Sequence, residues 1–189
     1  MDTIELKQRL RAELRSRRDA MLDGLDSAGR QFSFRTAPTP LRALIERATC
    51  VAGYVAIGSE ADPAALLADA VARGKFVALP FIERRSVPMR FLAWRPGEPL
   101  VRGQMGLLQP DFATAPEVAP DLFLAPLLGF DRRLHRLGQG AGYYDRAFAR
   151  YPDAVRVGVA WSVQELDLAP DDPWDVPLHA VLTEKEWIA

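Results

Sequence analysis

Leu6, Leu10, Leu14, Met21, Leu22 and Leu25 recur at helical spacing, which predicts a long amphipathic helix from Thr3 to about Leu25, broken near Gly24 and Gly29. Lys7, Arg11, Arg15 and Arg18 line an adjacent stripe of that helix. A second, short helix is predicted over Thr39–Arg47, with Pro40 in its first turn. The pattern then changes. Thr49–Ile57 (TCVAGYVAI) is apolar and partly β-branched and reads as a buried strand. Asp62-Pro63-Ala64 opens a helix that runs to Arg73 and stops at Gly74. Lys75–Ile82 (KFVALPFI) is the next strand, so the three segments form a βαβ unit with a right-handed crossover.

Met89–Trp94, Asp121–Pro126, Arg156–Trp161 and His179–Thr183 extend this to roughly six strands. Helices Ala64–Arg73 and Tyr143–Tyr151 are expected to cover the sheet faces. The Pro- and Gly-rich stretch Arg95–Pro120 reads as a surface loop that packs Leu107 and Leu108 inward. No internal repeat or composition break divides the chain. The expectation is one α/β domain over residues 1–189, three layers α/β/α, with a largely parallel sheet and a long amino-terminal helix.

Composition narrows the function classes. Lys and Arg number 24 against 25 Asp and Glu, a net charge of −1, which argues against a dedicated nucleic-acid binder. The uncharged runs Cys50–Gly58 and Leu122–Phe130 fall far short of the roughly 18 apolar residues of a membrane span. The amino terminus mixes acids with bases and lacks the apolar core of a secretory signal. With a single cysteine, Cys50, no intramolecular disulfide is available, which fits a cytoplasmic protein. The near-zero total hides an uneven distribution: Gly129–Arg150 holds five Arg against two Asp, and Asp153–Ala189 eight acids against two bases.

The densest chemical signal is Arg136-Leu137-Gly138-Gln139-Gly140-Ala141-Gly142-Tyr143-Tyr144-Asp145-Arg146, which follows a strand and opens a helix. Glycines let a backbone approach an anion closely, and helix-start amides donate at the positive end of the dipole. Arg136 adds a fork of donors suited to phosphate oxygens. A bare Gly-x-Gly-x-Gly is as often a flexible surface loop, and the spacing fits neither a P-loop nor a dinucleotide fingerprint. Lys7 and Arg11, four apart on one helical face, suit a polyphosphate clamp or a solvated basic stripe.

The run Phe130 to Arg146, F-D-x-x-x-x-R-L-G-x-G-x-G-Y-Y-D-R, resembles the signature of the 5-formyltetrahydrofolate cyclo-ligase family, also called 5,10-methenyltetrahydrofolate synthetase. Other parts agree in order: Lys7-Gln8-Arg9-Leu10-Arg11, Gly58-Ser59-Glu60, Asp175, and Thr183-Glu184. The resemblance implies an ATP-dependent ligase that cyclises 5-formyltetrahydrofolate to 5,10-methenyltetrahydrofolate through an iminophosphate, releasing ADP and phosphate. It places Lys7, Gln8, Arg9, Leu10 and Arg11 on ATP, together with Arg136, Leu137, Gly138, Gln139, Gly140, Ala141, Gly142, Tyr143 and Tyr144. It places Val55, Glu60, Gln139, Gly140, Ala141, Gly142 and Tyr143 on the folate, and Asp145 and Asp175 on Mg²⁺. Lys7 and Arg136 carry the catalytic charge. The implied partners are reduced folate and ATP, with no nucleic acid and no membrane, and the chain is expected to be a monomer.

Each of these residues also has a plain structural reading. Asp175 suits a turn beside Pro173 and Pro177, Glu60 a surface acid near a helix start, and Tyr144 helix packing. Three positions depart from the family pattern: Leu134 stands where glycine is usual, Trp174 replaces the usual His before Asp175, and His179 occupies a place where an acid is commoner. Two other functions share these features. One is a sugar-phosphate or other phosphorylated-metabolite binding protein, or an isomerase, on a similar α/β fold. The other is a non-catalytic RNA-interaction module using the basic stripe of the first helix.

Overall fold

Strand residues alternate in the direction they face: Val51, Val77, Leu79, Leu122, Leu124, Val157 and Val159 enter one apolar core, while Cys50, Ala52, Ala78, Phe123, Ala125 and Val181 enter another. That period of two with both faces apolar requires helices on both sides of the sheet. A computed structural model describes residues 3–103 and 106–189 and shows such a layering.

The helices are α1 (Thr3–Asp23), α2 (Ser27–Phe32), α3 (Thr39–Arg47), α4 (Ala64–Ala72) and α5 (Tyr143–Arg150). Leu22 of α1, Leu41 and Ile45 of α3, and Leu66 and Leu67 of α4 pack on one face of the sheet. Ala147 and Phe148 of α5 pack on the other. The main sheet contains β1 (Cys50–Ala52), β2 (Phe76–Phe81), β3 (Arg90–Ala93), β6 (Leu122–Pro126), β9 (Val155–Val159), β10 (Ala180–Leu182) and β11 (Trp187–Ile188). Two small hairpins, β4 (Val101–Arg102) with β5 (Leu108–Gln109) and β7 (Gly129–Phe130) with β8 (Arg136–Leu137), stand apart from it.

The strand order is β11-β10-β9-β6-β1-β2-β3. Only the two edges, β3 on β2 and β11 on β10, are antiparallel. From β1 the chain winds outward to β2 on one side, and β6, β9 and β10 build the other, so the winding reverses between β1 and β6. In open α/β sheets the crevice outside the carboxyl ends of strands at such a reversal is where ligands bind. Val55 and Glu60 follow β1, and the glycine-rich loop follows β6 through the β7–β8 hairpin, so both sequence signals arrive at that crevice.

Several elements depart from the sequence expectation for identifiable reasons. The strand beginning at Thr49 pairs only over Cys50–Ala52, with one more bond from Gly53 N to Ala78 O at 2.9 Å. Beyond it the chain turns across the carboxyl edge of the sheet, a loop closed by the Tyr54 hydroxyl donating to Ala61 O. Helix α2 was not expected; Asp26 caps it by accepting from Gly29 N at 2.6 Å. The stretch Arg95–Pro120 contains the β4–β5 hairpin, and its residues 104 and 105 lie outside the described residues. A seventh strand, β11, joins the expected six by pairing Trp187 with Leu182.

Helix α1 holds the largest surprise. Its buried residues are Lys7, Leu14, Arg18 and Leu22, so two cations of the basic stripe share the face turned to the protein, while Arg11 is half-buried and Arg15 exposed. Burying a charge is expensive unless it is paired. The pairing Lys7 finds defines the site.

Candidate active site

The glycine loop is held from three sides. Arg11 of α1 donates from Nε to Gly138 O at 2.9 Å, Arg15 donates to Gln139 Oε1 at 2.7 Å, and Gln139 Nε2 donates to Glu60 Oε1 at 3.4 Å. Gly140 adopts φ +100°, so this position demands glycine for its conformation, and a Cβ there would sit tightly, at 3.2 Å, against the Arg11 guanidinium carbon. Gly142 (φ +65°) caps α5, whose first-turn amides have no acceptor within the helix. An open cavity of about 390 Å³ lies over the loop, lined by Arg85, Gln139, Gly140, Ala141 and Tyr143.

Arg136, at the end of the β7–β8 hairpin, is the central cation. Its side chain is 5% exposed and donates to Asp145 Oδ1 at 2.5 Å. It also donates to Val176 O, and its guanidinium carbon lies 4.5 Å from the centre of the Phe148 ring. Burial pulls its pKa down and the charge of Asp145 pushes it back, yet a guanidinium stays protonated through such shifts. Lys7 forms the second cationic centre. Its ammonium donates to Asp172 Oδ2 at 2.5 Å and Asp175 Oδ2 at 3.1 Å. Burial opposes its charge, but the two carboxylates outweigh that and raise its pKa.

Asp145 and Asp175 meet at Val176, whose amide donates to Asp145 Oδ1 at 3.4 Å. Among the described residues each keeps one carboxylate oxygen without a protein partner: Oδ2 of Asp145 and Oδ1 of Asp175. Two half-buried carboxylates with spare oxygens fit Mg²⁺, which needs only one or two such ligands beside phosphate oxygens and water. No cluster of three or more His, Cys, Asp or Glu suited to a metal occurs among the described residues.

At the other end of the loop Glu60 is enclosed, accepting from Ile57 N at 3.1 Å and from Gln139. Desolvation raises its pKa, partly offset by the Ile57 amide, by Arg18 and by Gln139, so a neutral carboxyl persists to higher pH than usual. Buried Arg18 donates to Ser59 Oγ at 2.8 Å and fixes the segment that carries Glu60. Trp161 Nε1 donates to Ser59 O at 3.1 Å and does the same. Tyr144 feels both Glu60 and Arg136, and burial drives its pKa far up; its hydroxyl and that of Tyr143 are buried without a hydrogen-bond partner. Such orphaned donors and acceptors are costly. Val55 is half-buried and packs on the first core.

Not every expected residue converges. Gln8 and Arg9 are exposed on the far side of α1, and Leu10 is half-buried; none makes a polar contact with the loop among the described residues. In the sequence Arg18, Ser59 and Asp131 stand within the basic stripe and the matched motifs with no role attached, and Asp172 was missed. Asp172 sits in the acidic run that names only Asp175 by resemblance, and Arg18 continues the spacing of Lys7 and Leu14, a signal that was present.

The hairpin carrying Arg136 keeps its turn despite the loss of the usual glycine, because Leu134 itself takes φ +67°. It is the only non-glycine with positive φ among the described residues. An L-residue there costs about 1–2 kcal/mol. Leu134→Gly removes that cost but loosens the unfolded chain and forfeits packing against the second core, so stability is expected to change by less than about 1 kcal/mol. Leu134→Ile, whose branched Cβ tolerates positive φ worse, is expected to lose about 1–2 kcal/mol more than Gly in urea unfolding. Equal stabilities of the two variants would refute a strained turn.

Residues 3–184 match the model of the family described as the 5-formyltetrahydrofolate cyclo-ligase family. Over 183 residues the sequence is 30% identical to the 5-formyltetrahydrofolate cyclo-ligase of Escherichia coli (strain K12), covering 92% of this chain and 98% of that protein. It is 35% identical over 146 residues to the enzyme of the same name from Mycolicibacterium smegmatis, covering 73% and 75%. The solution structure of Aquifex aeolicus 5,10-methenyltetrahydrofolate synthetase superposes with a TM-score of 0.75 at 27% identity, over 97% of this chain and 92% of that one. A synthetase from Mycoplasma pneumoniae shares the fold, with a TM-score of 0.68 at 21% identity over 97% and 99% of the two chains.

Proposed function

The chain belongs to the 5-formyltetrahydrofolate cyclo-ligase family and is a ligase of folate one-carbon chemistry, and from that premise we propose that it converts 5-formyltetrahydrofolate to 5,10-methenyltetrahydrofolate at the expense of ATP and in the presence of Mg²⁺. The observation that carries this reading is the grouping of two buried cations, Lys7 and Arg136, with two carboxylates, Asp175 and Asp145, beside a glycine loop that opens a helix.

The chemistry explains why such a grouping suffices. The N5-formyl group is an amide, and its oxygen is a poor leaving group. Attack of that oxygen on the γ-phosphorus forms a P–O bond, breaks the bond to ADP and leaves an iminophosphate. N10 then attacks the activated carbon and loses its proton; the C–O bond breaks, phosphate departs and the ring is closed. Phosphoryl transfer of this kind asks for in-line placement and charge neutralisation rather than a protein nucleophile. Arg136 is pre-aimed by Asp145 and Val176 O, and Lys7 by Asp172 and Asp175, so neither cation needs to reorganise as charge shifts. Mg²⁺, held by Asp145 and Asp175, supplies further neutralisation of the phosphates when bound. Lys7 and Arg11 of α1 and the loop from Arg136 to Tyr144 line the nucleotide. Val55, Glu60 and Gln139 to Tyr143 line the folate, with Glu60 facing the polar edge of the pterin. Residues 1–189 act as one catalytic domain, a cytoplasmic monomer with small-molecule partners only.

Purified protein mixed with 5-formyltetrahydrofolate, ATP and Mg²⁺ is expected to build up the methenyl chromophore, and omission of ATP or chelation of Mg²⁺ to abolish it. A rate independent of either would overturn the reading. Lys7→Ala removes one charged donor to the triphosphate, an interaction of about 1.5–3 kcal/mol, and is expected to raise KM for ATP at least about tenfold. Initial rates at saturating folate check this; an unchanged KM would remove Lys7 from the nucleotide site.

A further inference from the structure

The cavity over the glycine loop has one wall that does not come from the loop. Four of its lining residues, Gln139, Gly140, Ala141 and Tyr143, belong to the proposed folate surface; the fifth, Arg85, comes from the turn between β2 and β3. Arg85 is exposed and makes no ion pair or hydrogen bond among the described residues. The acid nearest in sequence is unavailable to it: Glu83, the only carboxylate between Ile82 and Arg90, pairs with Arg90 at 3.3 Å. Arg90 is itself fixed over the Phe112 ring at 4.2 Å. No carboxylate lines the cavity, so an unneutralised cation stands at its rim.

Gln139, one of the lining residues, hydrogen-bonds Glu60, which the folate reading places at the polar edge of the pterin. On that reading a reduced folate with its pterin at Glu60 extends along Gln139, Ala141 and Tyr143, the residues that share the cavity with Arg85, and its opposite end is a glutamate with two carboxylates. Resting on the folate reading above, we propose that Arg85 receives a carboxylate of the substrate's glutamate tail and so is a specificity-determining residue for the tail-bearing form. Because the pair lies in solvent, its contribution is modest and screened by salt. The tail lies remote from the reacting formyl group, so the contact stabilises ground state and transition state alike and enters KM rather than kcat.

The test compares 5-formyltetrahydrofolate with the corresponding 5-formyltetrahydropteroate, which lacks the glutamate, on wild type, Arg85→Ala and Arg85→Glu. For the tail-bearing substrate KM is expected to rise about threefold in Arg85→Ala and about tenfold in Arg85→Glu, with kcat holding and the difference shrinking in high salt. For the tail-less substrate the three proteins are expected to agree within about twofold. Equal shifts on both substrates, or none on either in Arg85→Glu, would overturn the assignment of Arg85 while leaving the folate reading intact. A wild-type protein that turns over neither substrate would overturn the folate reading itself, and the tail site with it.

Discussion

Arg136→Ala is expected to lower turnover by about a hundred- to a thousandfold, the scale seen when one preorganised donor to developing charge is removed. Arg136→Lys is expected to recover little of it. The guanidinium serves three partners at once, Asp145, Val176 O and the Phe148 face, while a lysine ammonium is a point charge on a flexible stem without the planar fork. Asp145 then loses its partner, and breaking a buried pair by removing one member costs about 3–5 kcal/mol. Thermal denaturation therefore accompanies the kinetics, so that a folded Arg136→Lys protein reports the catalytic loss alone. Steady-state rates at saturating ATP and folate are the measurement. A folded Arg136→Lys enzyme at the wild-type rate would show that the fork geometry has no part in turnover.

Asp131→Asn is expected to be the most destabilising conservative change near the site, about 2–4 kcal/mol. The Asp131 side chain is fully buried and accepts from the amides of Arg133, His135 and Ala169, each at 3.0 Å, and from the Arg133 guanidinium at 3.1 Å. Those bonds shape the turn that delivers Arg136 and tie it to the strand-to-tail segment at Ala169. An asparagine keeps one acceptor oxygen and turns its NH₂ toward a donor. At this chain length the loss corresponds to a drop in Tm of roughly 4–16 °C. The pH dependence has a definite sign. Burial alone would raise the Asp131 pKa, but the Ala169 and His135 amides and Arg133 outweigh it, and the pKa is lowered. A carboxylate with a depressed folded pKa stabilises the fold above its unfolded value and loses that contribution as pH falls through the folded one. Asp131→Asn should therefore flatten the acid limb of a stability-against-pH curve measured by urea unfolding. An unaltered acid limb would show that Asp131 carries none of it.

The parts of this molecule that were legible in its sequence are those governed by local rules. The crossover from β1 through α4 to β2 follows from apolar runs punctuated by Asp62, Pro63 and Gly74. The glycine loop announces itself because positive φ at Gly140 and Gly142 leaves few alternatives to glycine. What escaped depends on partners distant in sequence. Nothing around Lys7 says that its partners are Asp172 and Asp175, and Arg18 looks like one more surface arginine until Ser59 is placed beside it. Asp131 stands in the sequence only as the second residue of the matched signature, with no role attached, since part of its worth comes from Ala169, 38 residues on. The strand at Thr49 is overextended for a similar reason: its later residues are apolar because they line the crevice and core, not because they pair in the sheet.

Lys7 and its carboxylates have a bearing on how this enzyme comes into being. The ammonium leaves the ribosome early, while Asp172 and Asp175 follow 165 and 168 residues later. At about 5–20 residues per second that interval is on the order of ten seconds or more. Throughout it Lys7 lacks both of the carboxylates that it pairs with in the folded chain, while Arg17 already has Glu13 four residues away. Seating of the amino-terminal end of α1 on the protein through Lys7 is thus a late event, since its contacts cannot form before residues 172–175 have been made.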